Sequence, residues 1–445
     1  MTYVFYSAGV AGIVILYMIP ALLLNDHWIN ALVLPESAAR SFSLFCVLSG
    51  MLIYPLTGML MDRATSTGRL RLRKVAVFLA CAAVSSLLFI QIPKSAPLFL
   101  KYLWGFGIYF LYSASFPLIE IPHLAMMSAV TTDYRRRGAL AAWRQTVAVI
   151  AALICQVTIS TLSARYNGSI PPKAYPRVLL PIAAVAFLLY LLYALGVKKP
   201  ASQEAGIVKP TFSAFIFSTR KNAPMTALMA CALCWGIADG FGADQLFFKF
   251  YIHNLEAYKI NAILRGGAYV FSGALVIFLA RYIPNKRNIG ILSWIISLCA
   301  LILQRMCPLN LTWGLYVYQG LAPLRALFGY AGFIIVISLV PDARDYALDM
   351  FNIRAGSFIS GMVCLFWRLG AFAAHSVFNQ RLSALGFFRS VVIYQPAPIV
   401  NWIRICAIPL PAFFTLAGIL FLRMYKLNEI SHDLLLARRA RDSQA

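Results

Sequence analysis

Glu120, Asp239, Asp244, Arg265, Arg325 and Arg368 each interrupt an otherwise apolar stretch of the chain. In a bilayer an ionised side chain at mid-depth costs roughly 2.5–3.5 kcal/mol on insertion scales, so each requires water, a partner or a proton. A carboxyl group in that setting can cycle a proton, and a guanidinium can hold a carboxylate through two parallel hydrogen bonds. Proton exchange and anion binding are therefore the chemistry these residue types offer. The remaining acids among the 15 fall in connections or at helix ends. Asp239 and Asp244 lie five positions apart, about 140° around a continuous helix, which predicts that they face different ways. The sequence contains no HExxH, no GxSxG and no glycine-rich phosphate loop with its lysine. It reads as a non-enzyme without metal or cofactor.

The elements that must position these charges are transmembrane helices. Of 445 residues, 61% are hydrophobic and 12% charged, against roughly 45–50% and 25% in soluble domains. A crossing takes about 20 apolar residues, and breakers divide the chain into about twelve. They are predicted near 3–25, 38–62, 74–93, 97–126, 138–162, 177–197, 223–251, 258–281, 288–305, 312–340, 355–378 and 402–422. The first lacks a basic n-region and reads as a retained helix rather than a signal peptide. The expected layout is a six-helix bundle over 1–197, a linker over 198–222, a second bundle over 223–422 and a tail over 423–445. The net charge of +24 gathers in alternate connections, which places both termini in the cytoplasm and explains the excess without nucleic acid. The nine cysteines lie mostly within spans and suggest no disulfide framework. Cys231 and Cys234 read as small core residues, and Gly236-x-x-x-Gly240 as a helix-packing motif.

Two connections echo one another. Thr132-Asp133-Tyr134-Arg135-Arg136-Arg137 follows the fourth span, and Pro341-Asp342-Ala343-Arg344-Asp345-Tyr346 follows the tenth. An Asp-Tyr pair at the same point of each half suggests a duplicated unit, as in many secondary transporters. Positive-inside topology accounts for the arginines but not for the interspersed aspartates. Asp62 with Arg63, Asp133 with Arg137 and Arg144, and Asp342 and Asp345 with Arg354 are expected to form a cytoplasmic gate of ion pairs.

These stretches also carry a resemblance. Ile121-Pro122-His123-Leu124-Ala125 with Asp133-Tyr134, Arg137 and Arg144 is similar to a signature of the glycoside–pentoside–hexuronide:cation symporters, the melibiose-permease-like family of the major facilitator superfamily. Pro341-Asp342-x-x-Asp345-Tyr346 with Arg354-x-Gly356 resembles its second signature. Tyr54-Pro55 through Asp62-Arg63 and the tail from Tyr425 to His432 match in order along the chain. The resemblance implies an all-α polytopic membrane protein of two six-helix bundles. Glu120 matches the family's acid of the fourth helix, and Arg368 its basic position of the eleventh. Gly50 and Tyr54 stand where the family's second helix carries acids for the coupling cation, and Val10 where its first helix carries a sugar-binding acid. Coupling to protons rather than sodium is therefore expected.

The combined expectation is a monomeric secondary active transporter in the bilayer of a bacterial inner membrane. It would move a small polar, anionic organic solute, a sugar acid or carboxylate-bearing metabolite, by alternating access. Asp239 or Asp244 would pair with Arg265 or Arg325, leaving Arg368 facing Glu120, whose protonation would uncover a positive site. A neutral glycoside symporter, a lysolipid-type translocase and a non-transporting receptor are the competing readings.

Overall fold

The computed structural model describes residues 2–26, 36–63, 77–83, 95–131, 133–166, 170–171, 174–197, 212–353, 355–387 and 395–427. Arg354, most of the third predicted span, the linker up to 211 and the tail from 428 onward lie outside the described residues. Every regular element among the described residues is a helix, and nine are long and apolar enough to cross a membrane. In lipid this is forced, because an intrahelical ladder is what satisfies each backbone N–H and C=O without water. In chain order the helices are α1 (Thr2–Asp26), α2 (Glu36–Arg63), α3 (Leu98–Ala125), α4 (Met127–Val130), α5 (Tyr134–Arg165), α6 (Tyr175–Gly196) and α7 (Phe212–Lys221). They continue as α8 (Ala223–Gly240), α9 (Asp244–Phe250), α10 (Leu255–Tyr282), α11 (Lys286–Met306), α12 (Thr312–Phe351), α13 (Gly356–Ala384), α14 (Ala397–Ala407) and α15 (Pro409–Met424).

The chain divides into two compact units. One holds residues 1–132, 143–210 and 355–361, and the other 133–142, 211–354 and 362–445. In the first unit α1 packs along α6, and α2 along α3. In the second, α12 is the central helix and takes α10 and α11 against it, while α15 lies on α8 and α11. Twenty-one α12 residues are buried, including every position from Ala331 to Ala343.

Three predicted boundaries are corrected. The seventh span is two helices, because Gly242 takes φ +61°, a left-handed conformation that ends α8 before α9 restarts at Asp244. The twelfth is also two, α14 and α15, parted at Ile408 (φ −131°, ψ −63°). There Pro409 removes a backbone donor and drives the preceding residue out of helical geometry. In contrast, the connection expected at 341–346 is helical. α12 runs through Pro341 and stops only at Asn352, whose φ of +50° forms a left-handed cap.

Helix α8 approaches α13 through glycines on both sides. A Cβ on Gly240 would stand 2.5 Å from the Ala371 Cα, and one on Gly236 would collide with the Trp367 carbonyl oxygen. On α13, a Cβ at Gly370 would collide with the Leu233 carbonyl. Small residues at such a crossing let backbones pack where lipid supplies no hydrophobic drive. Gly236→Leu should therefore separate the two helices. Overpacking of this kind costs about 1–3 kcal/mol, and the expected result is a lower thermal midpoint of the detergent-purified protein with unchanged helix content.

Candidate functional site

Both broken spans and α12 converge on one polar cavity inside the second unit. Its walls include Trp235, Asp239, Arg265, Tyr269, Ser297, Arg325 and Thr415, and about 20 Å³ is open to the centre of a water molecule. That is room for a single ordered water. Arg265 Nη1 donates to Asp244 Oδ2, and Arg265 Nη2 lies 3.3 Å from the Tyr269 hydroxyl. Tyr269 in turn donates to Asp239 Oδ1 at 3.4 Å. Arg325 Nη1 reaches the Ala407 carbonyl at 3.5 Å, where α14 ends. Two carboxylates thus stand with two guanidiniums.

The structure brings all four of these predicted residues together, and the break at Gly242 is the reason. Restarting the helix resets its rotation, so the 140° separation of Asp239 and Asp244 does not apply, and both lie within the electrostatic reach of Arg265 and Arg325. Asp244 additionally occupies the first turn of α9, where free backbone N–H groups favour a negative charge. The aromatic wall is fixed from behind, since Trp235 stacks on Trp294 at 6.3 Å and on Phe333 at 5.9 Å between centroids. Trp294 is held by donating to the Gly329 carbonyl at 3.0 Å. The sequence reading missed Trp235, Tyr269, Ser297 and Thr415; for Tyr269, its place one turn after Arg265 on α10 was the available signal.

Glu120 and Arg368 belong to other surroundings. On α3, Glu120 Oε2 accepts a 2.9 Å hydrogen bond from the Tyr54 hydroxyl of α2. Tyr54, which the sequence comparison marked as a missing acid, is thus the acid's own partner. Nearby on the same helix, His123 is fully buried, and its ring stacks on Tyr6 with centroids 4.3 Å apart. Tyr6 donates to the His123 carbonyl at 2.9 Å. Arg144 also lies against the Tyr6 hydroxyl and donates to Gln145 Oε1 at 3.1 Å. Arg368 is partly buried on α13 and is not among the residues that line the cavity of the second unit.

The expected gate residues sort into an ion cluster and two helix caps. Arg137 Nη1 lies 2.9 Å from Asp342 Oδ1 and 2.7 Å from Asp345 Oδ2. Lys286 Nζ reaches Asp342 Oδ2 at 2.5 Å and sits 3.7 Å from the centre of the Tyr134 ring. Relative exposures of 1% for Arg137, 0% for Asp342 and 3% for Lys286 place this cluster out of water. Lys286 opens α11 immediately after its Asn285 cap. A lysine there opposes the helix dipole, a sequence signal that its charge is held elsewhere. Below the cluster Tyr425 is fully buried and accepts from Arg287 at 3.0 Å through its carbonyl. Burial holds its phenol well above the usual range.

The other two gate acids also accept from backbone, and Asp133 Oδ2 lies 3.6 Å from Arg136 Nε. Asp133 Oδ1 accepts from the N–H groups of Arg135 and Arg136 at 2.8 and 2.9 Å, capping α5. Asp62 caps α13, accepting from the N–H of Ser357 at 3.0 Å and of Phe358 at 2.8 Å. Arg63 ends α2 in an exposed position. Arg144 lies two turns beyond Arg137 on α5, roughly 10 Å along the axis at 1.5 Å per residue, which sets it among the first unit's aromatics instead.

A chain of apolar helices with charges gathered at internal polar clusters is the build of a membrane transporter, and residues 5–429 match the MFS/sugar transport protein family. The chain belongs to that family and is a transporter of the major facilitator superfamily, not an enzyme. Two curated relatives carry the description "Putative sulfoquinovose importer". That of Escherichia coli K12 is 25% identical over 356 residues, covering 76% of this chain and 71% of the relative. That of Salmonella typhimurium LT2 is 25% identical over 320 residues, covering 66% of this chain and 59% of the relative. Among solved structures, a bacterial homologue of the iron transporter ferroportin aligns with a TM-score of 0.67 at 11% identity, covering 95% of this chain and 99% of its own. The E. coli fucose:proton symporter FucP aligns at 0.64 and 14%, covering 96% and 100%. At these identities the structural likeness concerns the fold.

The ion cluster predicts a specific stability pattern. Asp342→Asn leaves Arg137 and Lys286 with one carboxylate between them, and breaking a buried pair costs about 3–5 kcal/mol. The single variant should unfold at a clearly lower temperature in detergent. Adding Lys286→Met removes the surplus charge and should recover part of the loss, which a double-mutant cycle measures directly.

Proposed function

We propose that the protein is a secondary active transporter that carries an anionic, sugar-type solute together with a proton, by alternating access. The observation that carries this reading is Arg325. It lines a cavity within the membrane-spanning helices, and the one hydrogen bond of its guanidinium among the described residues is the 3.5 Å contact to the Ala407 carbonyl. A guanidinium whose remaining donors are not taken by a carboxylate is suited to the anionic group of a ligand, held through two parallel hydrogen bonds. Trp235 and Tyr269 add aromatic surface, and Ser297 and Thr415 hydroxyls, the mixture that small polar solutes meet in binding sites. Sulfoquinovose, named for the curated relatives, is a sugar bearing a sulfonate, and it supports an anion over a neutral glycoside.

Arg368 is assigned a second contact to the solute on α13, and Glu120, held by Tyr54, a contact to its hydroxyls. The ion pairs of Arg137 and Lys286 with Asp342 and Asp345 supply the closure that alternating access must make and break. The concentration of basic residues in alternate connections supports both termini on the cytoplasmic side of a bacterial inner membrane, with the monomer as the transporting unit.

Purified protein in liposomes tests the reading. Uptake of radiolabelled sulfoquinovose or glucuronate should exceed that of a neutral methyl glucoside, and an inward pH gradient should drive it without sodium. Charged hydrogen bonds contribute about 1.5–3 kcal/mol, so Arg325→Gln should weaken anion uptake roughly ten- to hundred-fold. Faster uptake of the neutral sugar would overturn the anion reading. Drive by sodium at constant pH would overturn the proton.

A further inference from the structure

Resting on the reading of an anionic solute, we infer that Asp239 is the site of the coupling proton, and that its protonation arms Arg325 for the anion. The two carboxylates at the cavity are not equivalent. Asp244 is engaged directly by the Arg265 guanidinium, which favours its ionised form. Asp239 receives one long hydrogen bond, 3.4 Å from Tyr269, and its side chain is exposed at the wall of a cavity sized for one water. Water is the vehicle by which a proton reaches a carboxylate within a membrane, and of the two acids Asp239 is the one lining that space.

The charge count then does the coupling. Around Asp239 stand Asp244 from α9, Arg265 and Tyr269 from α10, Arg325 from α12, with the hydroxyls of Ser297 from α11 and Thr415 from α15. With Asp239 ionised the two guanidiniums are balanced by two carboxylates. Transfer of a proton from hydronium in the bulk, relayed through the cavity water, to an Asp239 carboxylate oxygen adds one positive charge to the site and leaves Arg265 with Asp244, and Arg325 with no compensating charge. No ion pair joins Asp239 to Arg325 among the described residues, yet each lies in the other's field, so the effect is one of charge and not of a broken contact. A net positive site inside the membrane is costly alone and is relieved by a carboxylate or sulfonate. Proton and anion therefore favour each other's binding, by the same factor in both directions. This places coupling in the second unit, away from Glu120.

The experiment measures anion binding to, and accumulation by, the full-length protein with sulfoquinovose and glucuronate as probes. In the wild type, affinity should rise as pH falls from 8 to 6, with uptake of about one proton per anion bound in weakly buffered detergent solution. Asp239→Asn, neutral at every pH, should bind the anion with an affinity independent of pH. In liposomes it should equilibrate the solute without concentrating it under a pH gradient. Tyr269→Phe removes the hydrogen bond that favours the ionised carboxylate, so the pH midpoint of binding should move upward, a shift that loss of structure alone does not produce. If Asp239→Asn still concentrates the anion, or Tyr269→Phe leaves the midpoint in place, the assignment is wrong. It is equally overturned if Glu120→Gln abolishes the pH dependence while Asp239→Asn keeps it. A wild type that carries a neutral glycoside and no anion fails at the earlier step, the nature of the solute, and is recognised before either variant is tested.

Discussion

A charge removed from water must bring its counter-charge with it. At an effective dielectric constant of about 20 two ions 4 Å apart attract by about 4 kcal/mol, while each has given up several kcal/mol of hydration. Only assemblies that cancel their own charge are tolerated, and both internal clusters of this transporter do so two against two. Arg137 and Lys286 meet Asp342 and Asp345, and Arg265 and Arg325 meet Asp239 and Asp244. Much of the irregular backbone follows from that requirement. Gly242 and Ile408 interrupt their spans close to the second cluster, where a cavity can satisfy freed backbone groups that lipid could not. α12, which supplies Arg325 at one level and Asp342 and Asp345 at another, is the most extensively buried helix of its unit.

The clusters differ in what they leave available. In the Arg137 cluster, contacts of 2.5–2.9 Å join nearly every charge to another, with an aromatic ring beneath the lysine. The cavity cluster is looser, with one direct pair, a tyrosine bridge at 3.3 and 3.4 Å and a guanidinium turned to a carbonyl. The same charge types are thus packed tightly in one place and loosely in the other. A tight cluster fixes its own geometry, whereas a loose one can exchange a partner.

Much of this was legible in the sequence because the bilayer reduces folding to a question of run length. Apolar stretches of the right length gave the helices, and short ordered motifs such as Ile121-Pro122 and Pro341-Asp342 gave the family. What resisted reading was local geometry that cancels a periodicity argument. The positive φ of Gly242 reunited Asp239 with Asp244, and Pro341, expected in a connection, stands inside α12. Partners distant in sequence were equally hidden. Tyr54 read as a vacancy until Glu120 lay beside it, and nothing near Lys286 in sequence names Asp342 as its partner. Asp133 and Asp62 read as gate acids, and both carboxylates also accept from backbone N–H groups, Asp133 while paired with Arg136 at 3.6 Å.

The Asp62 cap sets an order on the making of the protein. Most helices are capped by a residue immediately before them, so cap and helix leave the ribosome together. The first turn of α13 instead takes its acceptor from a residue 295 positions earlier. Asp62 is therefore made, at the end of α2, while the intervening helices are still to be synthesised. When Ser357 and Phe358 emerge, two amides find a waiting partner, and the late helix is seated by contact with an early one rather than by its own flanking sequence. A bond closed late in synthesis thus uses an acceptor laid down near its beginning.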